Sequence, residues 1–475
     1  MVKPAFQAAT AYVRCALETS NPLLLPSASR RLCARRTDDY GIPPPLAPPV
    51  VDPVPCAAVS AASVIQPFRA LRADPARAAQ VAAPPYDVLD TAEARALAAD
   101  NPLSFLHVSK PEIDLAEGID PHAPEVYAGG RTALKRLIAE GALVREATPC
   151  LYLYRQRMGD HTQVGVVAAA SVDAYLAGRI RKHEHTRQDK EEDRTRHCRA
   201  LWAHTGPVFL TYRHTATIDT EVTRITAGPP AIDLVAEDGV GHTVWVVDDT
   251  AAIDRLVAAF ETVATLYIAD GHHRSAAAAR LCAERREANP GYTGEEPFNR
   301  FLSVIVPDDQ VRILPYYRAV RDFGDLRPPD FLTGLASRFE VKPSREPVAP
   351  DRPGRFGLYT GGGWLSLTVR PEQAPPADDP VASLDVAILA DQVLAPLLGI
   401  TDPRRDPRID FIGGIRGLAE LERRVDAGEF IAAFSLYPTG LDALFAVADA
   451  GEVMPPKSTW FEPKLRDGLV SLPLD

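Results

Sequence analysis

From residue 63 onward the apolar positions fall into two kinds of run. Short unbroken runs of Val, Ile, Leu, Phe and Tyr at 206–212, 263–268 and 301–307 have the length and composition of buried strands. Longer stretches with helical spacing separate them, at 91–99, 125–140, 193–202, 249–260, 275 to about 288, and 381–398, the last with Asp385 and Asp391 on its polar side. Gly141 closes the second of these as a helix stop. Two hairpins are predicted: 149–156 with 163–172 across Met158-Gly159-Asp160, and 355–359 with 364–369 across Gly361-Gly362-Gly363. Single strands are expected at 243–247, 313–320 and 430–436, and a helix with a Pro-rich connection at 326–350. Helices interleaved with strands and hairpins predict an α/β (α+β) fold of mixed sheets with packed helices. The expected division is a main α/β domain at 63–325 and a C-terminal α/β portion at 326–475 packed on it.

Residues 1–62 break the pattern. Glu18 is the only acid in 1–36, against Lys3, Arg14, Arg30, Arg31, Arg35 and Arg36, and Pro43-Pro44-Pro45 and Pro48-Pro49 follow. Such a stretch cannot bury a core and is expected to be a disordered Pro/Arg-rich leader. An acid-poor, Arg-containing start is also the composition of a transit peptide, but no apolar core or cleavage site accompanies it. A tail, or a start codon assigned too early, is the expectation.

Charge and cysteine usage narrow the class. The 475-residue chain carries a net charge of -11, which argues against a nucleic-acid-coating protein. The 6 cysteines stand singly with no CxxC pair, so neither a zinc ribbon nor a disulfide framework is indicated. No apolar run approaches membrane-spanning length. The expectation is a cytoplasmic protein with a small-molecule substrate, no nucleic-acid partner and no membrane partner.

The densest chemistry lies in Leu266-Tyr267-Ile268-Ala269-Asp270-Gly271-His272-His273-Arg274-Ser275, where a β-leaning run meets an Ala-rich helical one. A strand that turns through glycine into a helix aims the first free N–H groups, and the positive end of the helix dipole, at whatever binds there. Asp270 can cap the helix or hold a metal. His272, His273 and Arg274 can supply protons or positive charge to a phosphate. Asp-Gly is also a common turn that only caps a helix. Two imidazoles and a guanidinium in the same turn favour a phosphate-handling site.

Three other stretches carry candidate residues. Pro84 and Pro85 fix an extended loop that sets Tyr86 and Asp87. In the charged run 178–196, residues 188–192 read as a solvated face. His183-Glu184-His185 there is a carboxylate flanked by imidazoles, a general base or metal site, and HExxH is absent. Near the end, Pro455 and Pro456 set an exposed loop from which Lys457 and Ser458 can contact phosphate. A strand covering the core is the alternative there. There is no Walker A, GxGxxG or GxSxG pattern and no internal repeat.

Taken together, Ala83-Pro84-Pro85-Tyr86-Asp87-Val88, His183-Glu184 with Thr186 and the later Lys190 and Asp193-Arg194, Tyr267–Arg274, Ser383-Leu384-Asp385-Val386 and Met454-Pro455-Pro456-Lys457-Ser458-Thr459 resemble the uncharacterised family called domain of unknown function 1015, over about 64–474. The Asp270–Arg274 turn is more distantly similar to the phosphate-binding turn of the ParB, sulfiredoxin and free-serine-kinase superfamily. That resemblance implies a ParB/sulfiredoxin-like core with extra C-terminal elements. It implies that Gly271, His272, His273 and Arg274 hold nucleotide phosphates beside Tyr86 and Asp87. No cysteine occupies the turn, so sulfiredoxin chemistry is not expected. The leading expectation is a kinase that uses ATP or ADP with Mg²⁺ to phosphorylate a small hydroxyl metabolite such as serine. Its catalytic residues would be Glu184 as base, His272 and Asp270, with Asp270 and His183 as metal ligands. The alternatives are a metal-dependent hydrolase using His183, His185, His272 and Asp270, and a nucleotide-binding switch without turnover.

Overall fold

The computed structural model describes residues 63–475, so the leader expected over 1–62 lies outside the described residues. A nine-stranded mixed sheet carries the central turn. Named by first residue, its strands run Ile180, Leu266, Val208, Arg300, His161, Leu151, Gly241, Ile232, with Ile65–Gln66 paired on His161–Ser171. Leu266–Asp270 runs parallel to Ile180–Arg181 and antiparallel to Val208–Tyr212, and Arg300–Pro307 runs parallel to Val208–Tyr212. Alternate side chains go to opposite faces. Leu266 and Ile268 join Val166, Leu210 and Ile305 in one buried cluster, while Tyr267 and Ala269 join Val167, Phe209 and Val304 in another. Burial on both faces is why these strands read as unbroken apolar runs.

The cluster on the Tyr267 face continues through Phe461 into Phe356, Leu365 and Phe434. Those last three belong to a six-stranded antiparallel sheet whose strands run, by first residue, Phe339, Trp364, Arg355, Ala432, Tyr316, Ile409. The end of the chain returns to the first sheet's neighbourhood. Val470–Pro473 pairs with Leu71–Ala73 and Ala203–His204, and Asp467 exchanges backbone hydrogen bonds of 3.0 and 3.1 Å with Ala83. Among the described residues no helix is long and apolar enough to cross a membrane.

The mixed α/β architecture of packed sheets and helices is as expected, and several elements differ in detail. The helix expected from 193 is Gln188–Leu201, so the charged run forms its opening turns and not a loop. The helix of the central turn begins at His272, three residues early, which puts both imidazoles on its first turn. The expected 313–320 strand is broken at Pro315, which has no N–H to give a ladder. Arg312–Leu314 pairs with Trp460–Glu462, and Tyr316–Val320 enters the six-stranded sheet. The Pro-rich connection contains the strand Phe339–Ser344, where Pro343 is tolerated because the strand is at an edge. Asp385 is not on a polar side: it is buried, its Oδ1 accepts the Gly354 N–H at 2.7 Å, and burial pushes its carboxyl up to about 6.

Candidate functional site

The central turn is shaped by a bulge. Ile268 faces Leu210 but Asp270 faces Phe209, so Ala269 is an extra residue that bends the strand end. Gly271 then takes φ 97 and ψ 28, a left-handed conformation that strains any L side chain. A Cβ there would lie 3.1 Å from Arg274 Nε and 3.3 Å from the Val208 Cα. The 17-residue helix His272–Ala288 follows at once, so its unpaired N–H groups and dipole lie at the turn.

That turn opens on a cavity of about 690 Å³ lined by Asp270, Gly271, His272, His273 and Arg274. Because Ile180–Arg181 runs parallel to Leu266–Tyr267, the residues that follow both strands leave the sheet on the same edge. Ligands of α/β sheets bind at that edge. Glu184 and His185 therefore line the same cavity, together with Tyr86, Asp87 and Lys457. Two of the expected residues do not line it. Ser458 is buried and its hydroxyl donates to the Pro455 carbonyl at 2.7 Å, closing its own loop. His183 is buried edge-on against His272, ring centroids 4.5 Å apart, and burial lowers its imidazole to about 4.

The carboxylates of the cavity are held differently. Asp270 accepts from the Lys464 ammonium at 3.1 Å and lies 3.6 Å from the Arg274 guanidinium. Burial works against its charge, but Lys464 and then Arg274 outweigh burial and keep it well below the usual carboxylate range. Arg274 also donates to the Pro207 carbonyl and faces Asp87 at 3.8 Å. Glu184 has no hydrogen bond or ion pair to another side chain among the described residues. Burial pushes its carboxyl up, against the opposing pull of Lys457 and, after Asp270, of Arg404.

These contacts revise two expectations. His272 and His273 are not imidazolium groups: burial first, then neighbouring positive charge, pushes both below the usual histidine range. The His272 Nε2 accepts the His183 N–H at 3.4 Å and the His273 Nε2 accepts the Arg187 N–H at 3.1 Å. In the neutral rings that leaves each Nδ1–H as the donor. Asp270 and His183 make a poor metal seat, because Asp270 already faces two cations and the His183 ring does not line the cavity. The His/Asp grouping with metal-ligand spacing lies elsewhere, at His214, Asp308 and Asp309, none of which lines the cavity.

Sequence reading missed the segment behind the turn. Residues 464–467 are clamped to the main sheet by Gln156, which donates to the Lys464 carbonyl at 2.8 Å, and by Arg466 donating to His242 at 3.3 Å. The clamp delivers Lys464 to Asp270 and Asp467 to the small buried space behind Arg274. Burial pushes the Asp467 carboxyl up to about 7 against the pull of Arg274. Arg194 belongs to the family resemblance, but no role was expected of it. It stacks 4.0 Å over the Tyr86 ring and donates to Asp193 at 2.8 Å. Asp193 also accepts from the Tyr127 hydroxyl at 2.9 Å and pairs with His122 at 3.0 Å.

The family of proteins of unknown function called DUF1015 matches residues 65–387, more than half of the chain, and the chain belongs to that family. Arg404, Lys457, Lys464 and Asp467 all lie beyond the matched region. Solved structures similar to this chain include a free serine kinase mutant in complex with AMP, at 15% identity and a TM-score of 0.32, covering 62% of this chain and 87% of that one. SbnI with a C-terminal truncation from Staphylococcus aureus is similar at 12% identity and a TM-score of 0.35, covering 64% and 87%. A conserved hypothetical protein from Pyrococcus furiosus is similar at 17% identity and a TM-score of 0.30, covering 64% and 93%. A search of curated proteins returned no match.

Proposed function

We propose that this chain is a nucleotide-dependent phosphotransferase acting on a small hydroxyl-bearing metabolite. The observation that carries the reading is the meeting, in one cavity, of an unpartnered carboxylate on Glu184 and a helix-start turn built for an anion. Nucleotide phosphates sit against the N–H groups after Gly271, beside the His273 Nδ1–H and Arg274. Glu184 takes the proton of the acceptor hydroxyl. The hydroxyl oxygen then bonds to the terminal phosphorus as the bond to the leaving nucleotide oxygen breaks. The charge that collects on the leaving phosphate is met by the turn and by Arg274. Phosphoryl transfer asks for positioning and charge stabilisation more than covalent participation. Asp270 is a poor base, since Lys464 and Arg274 lower its proton affinity. Its part is to keep Arg274 in place. Mg²⁺ is not drawn into any step, because Asp270 and His183 do not seat it.

The test is calorimetric titration of the full chain with ATP, ADP, AMP and CTP, followed by phosphorus NMR after incubation with Mg²⁺ and a pool of hydroxyl metabolites containing serine. Binding of a nucleotide and a new phosphorylated product, lost in Glu184→Gln, is the expected result. Binding with no product favours a nucleotide-gated switch. If no nucleotide binds, the phosphate reading of the turn is wrong, and metal analysis then decides whether the hydrolase alternative survives.

A further inference from the structure

The cavity contains two groups of cations that share no member. Around His273 stand Arg274, Arg187 and Lys190. Lys457 and Arg404 act on Glu184, as does Asp270 of the turn, and all of these line the cavity. Neither Lys457 nor Arg404 has a carboxylate within ion-pair distance among the described residues, whereas Arg274 faces both Asp270 and Asp87.

Lys457 is exposed, but its backbone is fixed. Its backbone is left-handed, φ 57, shared among non-glycine described residues only with Trp202, which caps a helix. A non-glycine residue held there costs free energy that surrounding structure must offset. The offset is visible. The Ser458 hydroxyl donates to the Pro455 carbonyl at 2.7 Å, and the Thr439 hydroxyl donates to the Ser458 carbonyl at 2.9 Å. The resulting loop sends the ammonium across the Tyr316 ring, 5.6 Å from its centroid, on the cavity side. Arg404 reaches the same end from residues 401–408, and both belong to the stretch beyond the matched family region.

Resting on the phosphotransferase reading, we propose that Lys457 and Arg404 form an acceptor subsite, and that the acceptor carries an anionic group, carboxylate or phosphate, besides its hydroxyl. The geometry suits that task. A cation pair beside the base fixes the anionic end of the acceptor and leaves its hydroxyl facing Glu184, while donor phosphates occupy the separate group at the helix start. Lys457 is thereby moved from the donor phosphates, where its loop alone had suggested it, to the acceptor.

The test is titration of the full chain, with and without ADP, using glycerate, glycerol 3-phosphate and glycerol as probes. Glycerate or glycerol 3-phosphate should bind and glycerol should not. The tighter of the two anions tells a carboxylate acceptor from a phosphorylated one. Lys457→Asn is the suitable variant, since Asn tolerates the left-handed backbone. It and Arg404→Gln should each weaken the anion roughly tenfold or more, the worth of a hydrogen bond to a charged group. ADP affinity should change by less than about twofold, and Lys457→Arg should restore much of the anion affinity. Equal binding of glycerol, binding of neither anion, or loss of ADP affinity in place of anion affinity each overturns the proposal. If the wild type fails to bind ADP yet still binds an anion through Lys457 and Arg404, the nucleotide reading falls and the anion subsite stands.

Discussion

Two regions of the cavity treat a carboxylate in opposite ways. At the turn, Asp270 is surrounded by Lys464 and Arg274 and held ionised. Glu184 is half-buried with no side-chain partner among the described residues, and burial raises its proton affinity. Two carboxylates pushed apart in this way divide the work: one is a fixed charge and the other a stronger proton acceptor. The difference is built from sequence distance. The turn is contiguous, and Lys464, Asp467 and Asp87 are among the residues that reach it from elsewhere. The Glu184 end draws on the parallel pairing of Ile180–Arg181 with Leu266–Tyr267 and on loops near residues 404 and 457.

The largest test of that contrast is Glu184→Gln. It keeps shape and removes the proton acceptor, so phosphate transfer should fall by about 10²–10⁴, the usual worth of a positioned general base. Nucleotide affinity measured by calorimetry should stay within about twofold, because the turn is untouched. A variant that loses nucleotide binding along with turnover would show that the two ends are not separate.

The next effect in size is a pH dependence seated behind the turn. The Asp467 carboxyl is pushed up to about 7 by burial, despite Arg274. Between the ordinary carboxylate range and about pH 7 the folded chain keeps a proton that the unfolded chain has released. Stability must therefore decline as pH rises through that window and level off above it, with a slope of up to about 1.4 kcal/mol per pH unit from this group. Asp467→Asn should remove that part of the slope in urea unfolding measured from pH 4.5 to 8. A proton on Asp467 also leaves Arg274 less neutralised, so nucleotide affinity should weaken as wild type passes through pH 7 and stay flatter in the variant. Identical pH profiles for the two proteins would mean that Asp467 is already ionised in the folded chain.

How much of this was legible in the sequence follows the same division. Hydrophobic runs located the strands at 208–212, 266–270 and 300–307, because each is buried on both faces and interrupted by few polar residues. The turn was legible because its chemistry is contiguous. Its helix start was placed late because His272 and His273 read as loop polarity, although they occupy the first helical turn. Lys464 and Asp467 were not legible, since nothing local indicates that residues 464–467 are clamped by Gln156 and His242 from the main sheet. The role of Arg194 was not legible inside a charge run whose exposed neighbours, Asp189 and Lys190, are indeed solvated, while Asp193 on the same helix is buried. A helix with one wet and one buried face looks uniformly polar when the buried face carries ion pairs.

The smallest expected effect separates strain from space at Gly271. Two left-handed glycines make the comparison: Gly271 at φ 97 and Gly141 at φ 70. Alanine costs about 1–2 kcal/mol at either position, because an L residue in that region crowds its own backbone. At Gly141 a Cβ meets nothing within 4 Å, so Gly141→Ala should show that cost alone in chemical unfolding and leave ligand binding unchanged. At Gly271 the same Cβ arrives 3.1 Å from Arg274 Nε and 3.3 Å from the Val208 backbone. The strand cannot yield without breaking its ladder, so the guanidinium must. Gly271→Ala should therefore lose stability by a similar amount and, in addition, weaken nucleotide binding about tenfold, while glycerate or glycerol 3-phosphate still binds at the Lys457 end. If anion binding at that end falls equally, the left-handed turn organises the whole cavity and the two ends are one site. If nucleotide binding is unchanged, Arg274 has room to move without loss, and the positive charge at the turn matters more than where its guanidinium stands.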